Sequence, residues 1–115
     1  MTTPVKFEIA RLLTYTNFNQ MSVNIGYSIT TKELSFDYSL EYMNQKAIAA
    51  PTIAEVCMWL YEKYNIWVNV YLYKDHVADV NDDYMFRSNY TKIREYNTPE
   101  QAYEAAFEHV LNNMI

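Results

Sequence analysis

The sequence contains a single glycine, Gly26, among 115 residues. Phosphate cradles and dinucleotide-binding turns need glycines where the backbone must approach an anion closely, so chemistry of those kinds is excluded. There is also a single cysteine, Cys57, which cannot close an internal disulfide and fits a reducing compartment; cytoplasm is the expectation. Cations are scarce: 9 Lys and Arg stand against 14 Asp and Glu, giving a net charge of -5. That sign opposes adhesion to nucleic acid or anionic lipid. No apolar run approaches the ~20 residues that span a bilayer. The N-terminal run MTTPVKFEIARLL lacks both the basic start and the unbroken apolar core of a signal peptide, so a soluble, unprocessed chain is expected.

Aromatic residues are plentiful, at 17% of the chain with 12 Tyr, and half of all residues are hydrophobic. Such a composition can support a buried core and argues against intrinsic disorder. The length predicts a single domain over residues 1–115.

The strongest local signals lie between Pro51 and Lys74. Thr52-x-x-Glu55 is a capping box, in which hydroxyl and carboxylate each satisfy a free backbone donor of a first helical turn. Ile53, Val56, Cys57, Leu60, Tyr61 and Tyr64 then recur as one apolar stripe, and Asn65 is a suitable helix stop. Ile66 to Tyr73 is rich in β-branched and aromatic residues and predicts a strand with two unlike faces. Ile66, Val68, Val70 and Leu72 form an aliphatic face, while Trp67, Asn69, Tyr71 and Tyr73 form an amphipathic aromatic one.

Other segments extend this unit. Val5 to Leu13 fits helical or strand spacing, and Thr3-Pro4 ahead of it favours a helix. Strict alternation over Met21–Ile29 and again over Leu34–Tyr42 predicts an antiparallel hairpin with one wet face. Asn44 to Ala50 reads as a connector, Asp75 to Asp83 as an acidic loop, and Tyr84 to Ile93 as a last strand. Thr98-Pro99-Glu100-Gln101 opens a final helix carrying Ala102, Ala106, Val110 and Met114 on its apolar face. The expected fold is α+β: a four-stranded, mainly antiparallel sheet with two helices packed on one face, in the order ββαββα after a short N-terminal element.

Pro51-Thr52, then Trp59-Leu60, then Tyr64-Asn65-Ile66 entering an aromatic strand, with an acidic, alanine-rich last helix after Tyr96-Asn97-Thr98, resembles small uncharacterised proteins of Bacteroidales phages and prophages. The resemblance covers residues 51–115. It implies an accessory gene of a mobile element, for which binding a host protein is a common job, and it lends no catalytic residues.

Candidate chemistry is sparse. His76 and His109 have no nearby ligand partner in sequence, the acids Asp75, Asp79, Asp82 and Asp83 lack the spacing and central glycine of an EF-hand, and Cys57 lies on the apolar stripe as a structural thiol would. No cofactor, metal or catalytic residue is expected. Arg87, Lys92 and Arg94, with Lys74, make a small positive spot, but the net charge argues against nucleic acid as the partner.

The aromatic strand face carries the functional expectation: Trp67, Asn69, Tyr71 and Tyr73, with Arg87, have the composition of a protein interface. A second reading of the same face has the N-terminal segment, with Phe7, Ile9, Leu12 and Leu13, folding over it. The expected function is that of a non-enzymatic phage or prophage accessory protein acting by protein binding. Its partner is a host or phage protein or a second copy of the chain, in the host-cell cytoplasm, and inhibition of a host defence factor is one concrete form. The alternatives are a virion-associated structural or packaged protein and, behind it, a small hydrolase or nuclease.

Overall fold

The structure, a computed structural model, describes residues 3–35, 47–73, 85–92 and 94–115. The described residues form three α-helices and two small antiparallel sheets. The chain forms two compact units, Met1–Asn65 and Ile66–Ile115.

The first unit holds α1 (Phe7–Leu13), a 3-10 turn (Gln20–Ser22), the strands β1 (Gly26–Ser28), β2 (Leu34–Ser35) and β3 (Ala47–Ala49), and α2 (Ile53–Tyr64). The strands form one sheet in the order β2-β1-β3. Gly26 and Tyr27 pair with Ser35 and Leu34 on one side and with Ala49 and Ile48 on the other. The hairpin between β1 and β2 closes through Lys32 in the left-handed region, at φ 61°, a conformation that is costly for a residue with a Cβ. Its ammonium group lies 5.2 Å from the Phe7 ring centre, which offsets part of that cost.

α1 forms where the mixed pattern favoured a helix, but Thr3 and Pro4 do not cap it. Its N-cap is Lys6, which makes no side-chain capping bond. Thr3, Pro4 and Val5 instead run antiparallel to the entry of α2. Val5 N–H donates to the Pro51 carbonyl at 2.9 Å, and Ile53 N–H donates to that of Thr3 at 3.0 Å. Backbone pairing satisfies more groups there than a threonine cap would. α1 packs on β3, with Ile9, Ala10 and Leu13 buried, and the Tyr27 hydroxyl donates to the Val5 carbonyl at 2.6 Å.

α2 has the ends its sequence predicts. Thr52 Oγ1 accepts from Glu55 N–H at 3.2 Å, Glu55 Oε1 accepts from Thr52 N–H at 3.0 Å, and Asn65 closes the helix in the left-handed conformation. The buried stripe is rotated from the expected one: Ile53, Val56, Trp59 and Leu60 are buried, while Tyr61 is exposed. Trp59 takes its inward place by packing edge-on against both Phe18 and Tyr64.

The second unit holds β4 (Val70–Tyr73), β5 (Met85–Ser88) and α3 (Pro99–Asn113). Thr98 caps α3 by accepting from Gln101 N–H at 3.2 Å, with Pro99 at the first helical turn. Ala102, Ala106, Phe107, Val110 and Leu111 are its buried side, and the helix packs on both β4 and β5.

The expected single four-stranded sheet is therefore replaced, among the described residues, by a three-stranded and a two-stranded sheet. Half of the strand expected over Met21–Ile29 is lost because the Asn19 side chain accepts from Met21 N–H at 3.0 Å and starts a 3-10 turn. Conversely, the connector supplies β3, whose Ala49 N–H donates to Gln20 Oε1 at 2.8 Å. β5 ends at Ser88, because Asn89 and Tyr90 turn the chain. The continuation of the Leu34 strand beyond Ser35, the Asp75–Asp83 loop, Tyr84 and Ile93 lie outside the described residues.

Candidate functional site

β4 and β5 run antiparallel with Val70 opposite Ser88, Tyr71 opposite Arg87, Leu72 opposite Phe86 and Tyr73 opposite Met85. Side chains alternate along a strand, so Asn69, Tyr71, Arg87 and Asn89 belong to one face and Val70, Leu72, Phe86 and Ser88 to the other. α3 packs on both strands and Ser88 is fully buried, so the helix covers the Ser88 end of that side; Leu72 on the same side is 54% exposed, and Tyr71 on the aromatic side is 38% exposed. Trp67 is 50% exposed and Asn69 is exposed too. The structure thus brings Tyr71 and Arg87 together as cross-strand neighbours, and places Trp67 and Asn69 just ahead of the strand.

Asn89 holds that approach in place. Its backbone N–H donates to the Asn69 carbonyl at 3.0 Å, its Oδ1 accepts from Asn69 N–H at 3.0 Å, and its Nδ2 donates to the Trp67 carbonyl at 2.7 Å. The side-chain amide stands in for the next residue of a strand, continuing the ladder after β5 has turned away. Ser88 fixes the turn itself, accepting at Oγ from Thr91 N–H at 3.0 Å and lying 2.5 Å from Thr91 Oγ1. Sequence reasoning assigned neither residue a role. The only signal was Ser-Asn-Tyr-Thr, a spacing suited to a side-chain-bonded turn.

These bonds also fix the phase of the ladder. Asn89 reaches Asn69, while Phe86 exchanges two backbone bonds with Tyr96, at 2.8 and 2.9 Å, on the far side of β5. Because backbone groups alternate in direction along an antiparallel strand, Asn69, Tyr71 and Tyr73 point theirs at β5 and Val70 and Leu72 point theirs away from it.

Arg87 donates from Nη2 to Glu95 Oε1 at 2.7 Å, a partly exposed ion pair that edges the aromatic face. Of the expected positive spot, Lys74 lies outside the described residues. Arg94 lines a polar cleft of about 280 Å3 with Tyr96, Glu108, His109 and Asn112, and Tyr90 stacks on His109. In the first unit, Phe18, Met58, Trp59, Glu55 and Glu62 line an apolar cleft of about 440 Å3 edged by carboxylates. Among the described residues no group of three or more His, Cys, Asp and Glu is placed to hold a metal ion. Likewise no described helix is long and apolar enough to cross a membrane.

The N-terminal segment is used within the first unit, where Val5, Ile9 and Leu13 are fully buried. Phe7 packs edge-on against Tyr27 there, at 5.7 Å between ring centres.

Cys57 is half-buried on α2, and burial pushes its thiol up from 9.0 to about 11. At pH 8 the thiolate fraction is then about one part in a thousand, roughly 100-fold below that of a thiol at 9.0. Alkylation by iodoacetamide is expected to be slower by about that factor than for a free thiol of ordinary pKa, with a rate that keeps rising with pH beyond 9.0. A rate that levels off near neutral pH would show an activated cysteine instead.

The chain matches no protein-family model, no curated protein and no solved structure.

Proposed function

We propose that this chain is a non-enzymatic phage or prophage accessory protein that works by binding another protein through the aromatic face of β4. The observation that carries the reading is the exposure of Trp67 and Tyr71 on a backbone pinned by Asn89, beside the Arg87–Glu95 pair. A pre-ordered aromatic patch loses little conformational entropy when it docks, and tryptophan, tyrosine and arginine are the side chains that most often dominate binding energy. Action in the host cytoplasm, with a host defence factor as the inhibited partner, is the concrete form we favour. A virion-associated structural role is the second reading, favoured by the uncharged stretch Asn65–Tyr73, which suits packing against further copies. Recovery of the chain in purified particles would decide for it.

The test is a pull-down from host lysate with the wild type beside Trp67→Ala, Tyr71→Ala and Asn89→Ala, each first shown to be folded. Trp67→Ala is expected to weaken capture by about 2 kcal/mol or more, a loss of roughly thirtyfold or greater. Asn89→Ala should weaken it through the loosened Trp67–Asn69 backbone. Unchanged partners in both aromatic variants would sink the reading.

A further inference from the structure

We infer that the partner of this face includes a second copy of the chain, joined edge to edge through antiparallel pairing of the two β4 strands around Tyr71. The inference rests on the functional reading above and names its partner. β5 is not available on its far side, since Phe86 is bonded there to Tyr96. β4 differs: Val70 and Leu72 direct their N–H and C=O groups away from β5, and among the described residues neither has a hydrogen-bond partner on that side.

Exposed sheet edges are ordinarily blunted by charge, proline, a bulge or a covering element. From Asn65 to Tyr73, NIWVNVYLY, there is no charge and no proline, and the register of β4 on β5 is regular, without a bulge. Leu72 is 54% exposed although it belongs to the aliphatic side of the strand.

The ladder phase selects a self-complementary register. With Val70 and Leu72 both facing outward, Val70 of one copy exchanges a bonded pair with Leu72 of the other, and the reverse holds across the two-fold axis. Tyr71 then faces Tyr71 of the second copy at the close, non-bonded position, where aromatic pairs are favourable. The electrostatics agree. Each copy carries -5 overall, yet the strands that meet are neutral, so no like charges are brought opposite one another. The interface is small and a dissociation constant of roughly micromolar order is expected. Because the remaining repulsion is between distant surface charges, added salt should tighten the dimer.

Sedimentation velocity of the full chain across a concentration series should show a reversible monomer–dimer equilibrium. Tyr71→Glu and Tyr71→Lys, each checked by circular dichroism, should raise the dissociation constant at least tenfold by opposing like charges at the axis. Mixing the two variants should restore a dimer, which only pairing around Tyr71 explains. Leu72→Pro removes an outward donor that makes no bond to β5, and should abolish the dimer with the fold retained. A wild type that stays monomeric, a dimer insensitive to all three substitutions, or no recovery on mixing would each overturn the inference. If lysate capture is still lost in Trp67→Ala, the broader reading survives that failure.

Discussion

Phe107→Ala is expected to lower stability by about 3–5 kcal/mol, a large part of what a domain of this size has available. Phe107 is fully buried on α3, flanked on its own helix by Ala106, Val110 and Tyr103. Two strands do not hold themselves together in water, so β4 and β5 depend on the helix that covers them. Removing the ring leaves a void among alanines too small to collapse into it. The effect should therefore reach the aromatic face as well as the melting point. Trp67 is a reporter within the second unit and Trp59 within the first. In a Trp59→Phe background, the urea midpoint followed by Trp67 emission should fall with Phe107→Ala and change much less with Phe107→Leu. A shift worth under about 1 kcal/mol would mean that α3 is not what supports the strands. Followed instead through Trp59 in a Trp67→Phe background, the same substitution tests whether residues 1–115 unfold as the single domain expected from the sequence: one cooperative domain requires coincident midpoints.

The helix ends were legible because capping is local. Thr52 and Glu55 sit three residues apart and need only each other, as do Thr98 and Gln101. Strand pairing was legible only where a short link joins two alternating runs, as in the antiparallel hairpin of Gly26–Ser28 with Leu34–Ser35; elsewhere it depends on what lies opposite. Ala47–Ala49 has no strand-forming side chains beyond Ile48, yet it becomes β3 because Gly26–Ser28 runs alongside it. Thr3-Pro4 carried a helix-start signature that lost to pairing with Pro51–Ile53.

The candidate site divides in the same way. Alternation was enough to group Trp67 and Tyr71 apart from Val70 and Leu72 but not to say whether their side is covered, and the bond from Asn89 to Trp67 depends on a register no local pattern encodes. Leu72 shows the other limit. Period two assigns a residue to a side of the sheet, but the exposure of Leu72 at the outer edge depends on how far the cover extends.

Trp59 provides the contrasting case, a large aromatic residue on the helix half of the same stretch whose work is architectural. Its ring packs edge-on against Phe18 at 5.4 Å and Tyr64 at 5.3 Å, and only 9% of the residue is exposed. Trp59→Ala is accordingly expected to destabilise by about 3–5 kcal/mol. The indole N–H is buried with no hydrogen-bond partner among the described residues. Burying such a donor costs about 1–3 kcal/mol, so Trp59→Phe removes a penalty along with part of the ring, and its net effect should be small. Chemical denaturation followed by circular dichroism separates the two outcomes. If the phenylalanine variant is as unstable as the alanine one, the indole nitrogen makes a bond that matters and the packing account fails. If it is near wild type, Trp59→Phe should also leave partner capture intact while Trp67→Ala weakens it. That pair of results would place structure on α2 and recognition on β4, on either side of the left-handed turn at Asn65.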